Sequence, residues 1–244
     1  MRQKNAGQSF RQGLIDGVPI ALGYISVSFG FGILCVKGHF SALTAVLISL
    51  TNVTSAGQLA GLGIMLAMGT LMEIIVTEFV INMRYALMSI SLTQKLDSSF
   101  TTPRRMICAF AMTDEVFAVA SSKEGKIGAK YFYGLMLLPV AGWVMGTALG
   151  ALAGGILPES ITNAMGIALY GMFLAIILPP ATKSRAVAIC VLLAAALSIV
   201  LNVVPWFSAI LENSPGFSIV ICAIIASAIV SWRFPIADEE GGEA

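Results

Sequence analysis

Five charged side chains of this sequence stand inside apolar stretches: Glu73, Glu78, Arg84, Asp114 and Glu115. A charge at mid-bilayer depth costs about 2.5–3.5 kcal/mol on insertion scales, so a residue kept there faces a cavity, a partner or an ion path. Thr113-Asp114-Glu115 sets two carboxyls side by side. Like charges repel and burial disfavours the charged form, so one of two such acids can hold a proton and release it during a transport cycle. The ordinary alternative is that these acids cap a short helix or pair with Lys123. Glu78 is the most central acid of its stretch, about 14 Å from Gly69 if that residue starts a helix.

A second constellation interrupts another apolar run. Thr51, Asn52, Thr54, Ser55, Gly57 and Gln58 put six small or polar residues into eight positions. Ser and Thr can bond back to their own helix and Gly can tighten packing, which is the structural reading. In the functional reading, the break frees backbone N–H and C=O groups to grip the carboxylate and ammonium of a zwitterion, with a helix N-terminus favouring the carboxylate. Asn52, Thr54, Ser55, Gly57 and Gln58 are then substrate-binding candidates, together with Asn82 and Arg84. The proton-coupling candidates are Glu78, Asp114 and Glu115.

Arg84 and Glu78 belong to a helix expected over 69–92. At 100° per residue, Glu73, Thr77, Arg84 and Ser91 fall within about 40° of one another, and Glu78, Asn82 and Ser89 lie nearly opposite. Polarity on two faces predicts a helix wrapped by other elements, with little lipid contact. Glu73 and Arg84 are separated by about 16 Å along the axis and cannot pair directly, so each needs another partner or water.

The elements that position these residues follow from composition. Of 244 residues, 57% are apolar or aromatic and 11% charged, against about 25% charged in an average soluble domain. With a mean hydropathy of +0.90, the chain reads as an all-α polytopic membrane protein. A span needs about 20 apolar residues. About six transmembrane helices are expected: 18–36, 69–92, 132–156, 164–181, 186–204 and 217–233. Two broken or re-entrant elements accompany them, at 42–68 and 106–121, as an inverted repeat would arrange. Arg104 and Arg105 before the second, and Lys123, Lys126 and Lys130 after it, favour a hairpin that enters and leaves on the cytoplasmic side. Interrupted hydrophobic segments in corresponding positions of two halves are the best sequence pointer to a transporter's midplane site.

The same charge rule puts both termini in the cytoplasm, with residues 1–12 a cytoplasmic segment, 13–234 one transmembrane transporter domain and 235–244 an acidic tail. The run after Val18 is too long for a signal-peptide core, so it reads as an uncleaved first span. Gly142, Gly146, Gly150 and Gly154 form a small-residue stripe for close helix packing, and Pro139 should bend the same span. Cys35, Cys108, Cys190 and Cys222 read as buried hydrophobes rather than a disulfide framework. Fourteen basic against thirteen acidic residues leave no excess for nucleic acid. One His and no C-x-x-C give no expectation of a metal site or cofactor.

At these residues the sequence resembles a known family. NMRYALMSISL (Asn82 to Leu92), TSAGQL (Thr54 to Leu59), TDEVFAV (Thr113 to Val119) and GLIDGVPIALGYISVSFGFGIL (Gly13 to Leu34) are similar, in order and at compatible spacing, to segments of the AzlC family of branched-chain amino acid exporters. The resemblance covers most of residues 10–210. It implies the large subunit of a two-component exporter in a bacterial inner membrane, acting with a small AzlD-like membrane subunit on leucine, isoleucine, valine or a related apolar amino acid. Tyr85 stands where many relatives carry His, which puts in doubt an imidazole proton relay there.

The leading functional expectation is therefore a proton-coupled secondary exporter of neutral apolar amino acids. Arg84 and the broken segment would hold the carboxylate, and Asp114, Glu115 or Glu78 the ammonium or the proton. A channel-like facilitator for a small solute is the alternative, although no symmetric filter motif or ring of like charge is evident. A purely structural subunit is opposed by the intramembrane acids. The sequence carries no P-loop, G-x-S-x-G or H-E-x-x-H motif, so no enzyme activity is expected.

Overall fold

A computed structural model describes residues 9–154, 156–158, 160, 164, 171, 174, 177–207 and 215–234. The protein is an all-α polytopic membrane protein, and its described elements are helical. In chain order the helices are α1 (Phe10–Lys37), α2 (Ala42–Thr51), α3 (Ser55–Leu66), α4 (Leu71–Thr93), α5 (Thr102–Phe110), α6 (Asp114–Ser122), α7 (Ala129–Ala153), α8 (Arg185–Val203) and α9 (Pro215–Arg233). Among the described residues, α1, α4, α7, α8 and α9 are long and apolar enough to cross a membrane. The expected span 164–181 lies mostly outside the described residues, as does the acidic tail.

Two compact units make up the chain: residues 1–59 with 81–170, and residues 60–80 with 171–244. In the first, α1 and α7 pack along their whole length and run in the same direction. Gly13 lies against Tyr131 and Leu135 at one end, and Gly32 against Thr147 and Ala151 at the other. A Cβ on Gly134 would strike the Phe10 carbonyl, and one on Gly150 the Phe29 carbonyl. The glycine stripe therefore serves packing, and its partner is α1 of the same chain. Pro139 sits inside α7, beside Gly17.

Both expected interruptions are present. Residues 52–54 are non-helical between α2 and α3, and the helix also breaks at 111–113, between α5 and α6. The first break turns the chain out of line: Gln58 Nε2 donates to Ser49 Oγ at 2.9 Å, whereas nine residues of continuous helix would separate them by about 13 Å. The α5–α6 hairpin returns to its starting side. At its entry Arg104 donates to the Ser99 carbonyl at 2.6 Å. At its exit Lys95 Nζ donates to the carbonyls of Ser121 and Lys123. Asp97 and Lys95 also bond Ile127 through their backbones, at 2.9 and 2.7 Å.

The expectation that α4 is wrapped on all sides is corrected. Met72, Ile75, Phe79, Leu87 and Ile90 are all more than half exposed, while Glu73 and Thr77 are fully buried. A helix that hides Glu73 and Thr77 and presents these apolar residues suits lipid as solvent. Two polar faces leave a third, apolar face free, and the sequence period alone does not say which faces meet protein. In the second unit α8 packs on α9.

Candidate functional site

The two breaks are built alike. Thr54 Oγ1 accepts the Gly57 N–H at 3.1 Å and so caps α3; Thr113 Oγ1 accepts the Val116 N–H at 3.4 Å and caps α6. Each threonine meets a helix N-terminus whose first N–H groups have no intrahelical partner. Asp114 and Glu115 occupy the first turn of α6, where the helix dipole favours negative charge. The cap is therefore Thr113, and the two acids expected as caps lie in the first turn behind it. Lys123 does not pair with these acids; it binds Asp16 at 2.7 Å, a carboxylate that also accepts from Tyr131 at 2.7 Å and Gln12 at 2.9 Å.

Two chains of contacts in the first unit join one break to the other. The buried chain starts where Ser49 meets Thr147 across 2.7 Å, both fully buried. Gln58 donates to Ser49, and Trp143 Nε1 donates to Gln58 Oε1 at 3.1 Å. The Trp143 ring meets Tyr24 edge to face, with centroids 5.1 Å apart. The Tyr24 hydroxyl then lies 2.6 Å from Thr113 Oγ1 and 2.5 Å from Glu115 Oε2. With one proton to give, it donates to one of them.

The second chain runs over α4. Tyr85 shares a hydrogen bond with Thr54, and Arg84 Nη2 donates to the Tyr85 hydroxyl at 2.9 Å. Arg84 Nη1 meets Asp114 Oδ2 at 2.7 Å, with the two side chains 38% and 27% exposed. That exposure separates the two chains. Gln58 and Trp143 are 2% and 3% exposed and form a support, whereas the Arg84–Asp114 pair is partly exposed. Asp114 lies on a helix too short to span; its carboxyl is raised above the ordinary value by burial, against the pull of Arg84.

The structure therefore brings together Thr54, Gln58, Arg84, Asp114 and Glu115. Gly57 contributes its N–H to the Thr54 cap, Ser55 opens α3 and Asn52 ends α2. Asn82 lies on the same helix as Arg84, partly buried. Glu78 belongs to the second unit, with Oε1 3.2 Å from where a Cβ on Gly61 would stand. Sequence reasoning missed Tyr24, Trp143, Ser49 and Thr147, which read as unremarkable residues of apolar spans. The one available signal was their type: a Tyr or Trp buried in a span needs a partner for its polar atom.

Apolar helices of spanning length, two interrupted elements and a partly exposed ion pair linking them are features of a membrane protein of the transporter type. The AzlC protein family matches residues 19–157, and the chain belongs to that family. It is 36% identical to an uncharacterized membrane protein of Archaeoglobus fulgidus over 182 residues, 73% of this chain and 79% of the relative. It is 26% identical to the inner membrane protein YgaZ of Escherichia coli over 197 residues, 78% of this chain and 80% of YgaZ. A Helicobacter pylori membrane protein is 26% identical over 150 residues, 60% of this chain and 65% of its own. No solved structure matches.

Proposed function

We propose that the chain is the large subunit of a secondary transporter that exports neutral apolar amino acids, in the first place branched-chain ones, across the bacterial inner membrane. The observation that carries this reading is the Arg84–Asp114 pair at the junction of the two breaks. Its two charges have the signs and proximity needed to receive a zwitterion, the carboxylate at Arg84 and the ammonium at Asp114. Without substrate the two ends neutralise each other. Beside Thr113, Met112 helps to line an apolar cavity of about 170 Å³ with Leu92, Leu96, Phe100, Cys108 and Phe132, a lining suited to a branched side chain. Thr54, Gly57 and Gln58 hold the first break in shape, with Asn52, Ser55 and Asn82 near the substrate path. Export is coupled to protons, taken up by Asp114, Glu115 or Glu78, both termini face the cytoplasm, and a small AzlD-like subunit completes the transporter.

Counterflow of labelled leucine or valine in proteoliposomes, with and without such a partner, tests the reading. Saturable flux that responds to a pH gradient supports it. Flux that does not saturate favours a facilitator, and no flux even with the partner overturns the exporter reading.

A further inference from the structure

Arg84 and Tyr85 are successive residues of α4, and successive side chains on a helix diverge by about 100°, so they do not ordinarily meet. Here they do. Arg84 Nη2 donates to the Tyr85 hydroxyl at 2.9 Å, and the guanidinium carbon lies 4.7 Å from the centre of the Tyr85 ring. The helix does not dictate this contact; groups on other elements hold it from both ends. Thr54 hydrogen-bonds the Tyr85 hydroxyl, and Asp114 takes Nη1 of the guanidinium at 2.7 Å.

Proton count fixes the sense of the chain. A guanidinium only donates, so the Tyr85 oxygen accepts from Arg84 and its single proton goes to Thr54 Oγ1. That oxygen has two lone pairs, and the other takes the Gly57 N–H as the cap of α3. Thr54 is buried, so the anchor is firm. The second break repeats the arrangement: the Tyr24 hydroxyl lies 2.6 Å from the capping Thr113 and 2.5 Å from the Glu115 carboxyl. At each break a tyrosine thus ties the capping threonine to a charged side chain. Tyr24 engages Glu115 and leaves Asp114 to Arg84; Tyr85 engages Nη2 and leaves Nη1 to Asp114.

We propose that Tyr85 is a positioning residue: it tethers one edge of the Arg84 guanidinium to the first break, so that the other edge can exchange Asp114 for the carboxylate of the substrate. The Arg84 side chain is 38% exposed, and a long side chain left loose there would lose rotamer freedom at every binding event. With Nη2 tied, that freedom is already lost on folding, and Nη1 stays aimed when Asp114 lets go. Only a planar fork has two such edges; an ammonium is a single compact charge.

The inference rests on the amino acid reading for its consequence but not for its geometry, and the experiment has one arm for each. In the first, purified full-length protein without substrate is treated with phenylglyoxal, which modifies arginine. The rate at Arg84 is followed by mass spectrometry against the exposed Arg105 and Arg185 of the same molecule. Tyr85→Phe keeps the ring, removes the hydroxyl and should speed modification of Arg84 severalfold relative to those two. Thr54→Val removes the anchor, leaves the phenol and should act in the same direction, which covers a Tyr85 variant that does not fold. In the second arm, leucine counterflow by Tyr85→Phe should need about tenfold more leucine for half-saturation, the size of one hydrogen bond to a charged group, with a smaller change in maximal rate. Unchanged modification of Arg84 in both variants, or equal acceleration at all three arginines, overturns the proposal. So does a fall in maximal rate with half-saturation unmoved. Selective acceleration at Arg84 together with no leucine flux in the wild type supports the tether and overturns the exporter reading instead.

Discussion

Replacing Trp143 with Phe and Gln58 with Leu, singly and together, probes the buried chain that links the two breaks. Trp143→Phe removes the indole N–H that Gln58 Oε1 accepts at 3.1 Å. Gln58 is 2% exposed, so water cannot replace the lost donor, and an orphaned buried acceptor costs about 1–3 kcal/mol. The smaller ring also weakens the edge-to-face contact with Tyr24, for about 0.5–1.5 kcal/mol more. With Leu at position 58 the acceptor is gone and only the ring contribution remains. The two substitutions should therefore couple by about 1–3 kcal/mol, roughly 5- to 150-fold in the folded-to-unfolded ratio. At about 2–4 °C per kcal/mol for a chain of this size, the coupling amounts to several degrees in melting midpoint, measured on the purified protein in one detergent. Ser49 keeps Thr147 as a partner throughout, so it should add little. Additivity within about 0.3–0.5 kcal/mol would refute the reasoning, because independent sites behave that way.

Three further outcomes are expected. Gly150→Ala must push α7 away from the Phe29 carbonyl and should destabilise by roughly 1–3 kcal/mol, whereas Gly23→Ala, where an added Cβ meets nothing within 4 Å, should be neutral; paired melting curves check this. Arg84→Ala or Asp114→Asn should cost less than about 1 kcal/mol in stability, since the pair is partly exposed, yet lower leucine counterflow at least tenfold. A raised Asp114 carboxyl makes the folded state bind protons more readily than the unfolded one. Its contribution to stability is then full below the ordinary value of 3.8 and lost as pH rises through the raised one; the melting difference between wild type and Asp114→Asn across that window measures it.

Much of this arrangement could be read from residue types. The stretches around Thr54 and Thr113 announced themselves because small and polar residues do not belong in apolar runs, and both prove to be helix caps at chain breaks. Basic residues on both flanks of 106–121 indicated a hairpin that returns to its own side, and Lys95, bonding the carbonyls of Ser121 and Lys123, lies where it does so. The partners were not legible. Arg84 finds Asp114 thirty positions on, and Gln58 finds Trp143 eighty-five positions on. Such contacts depend on how α1 and α7 draw the breaks together, which local pattern does not encode. The surroundings of α4 were misjudged for a related reason: periodicity shows which residues share a face, but lipid and protein are equally hospitable to apolar ones.

The central claim is that Arg84 and Asp114 receive the two charges of an amino acid, and leucine binding to the purified protein with its small partner subunit, measured by titration calorimetry, tests it most directly. Saturable leucine binding is expected, lost in Arg84→Ala and Asp114→Asn, and absent for leucinamide, which lacks the carboxylate, and for isocaproate, which lacks the ammonium. Equal binding of leucine and leucinamide, or full binding by the Arg84→Ala protein, would contradict it.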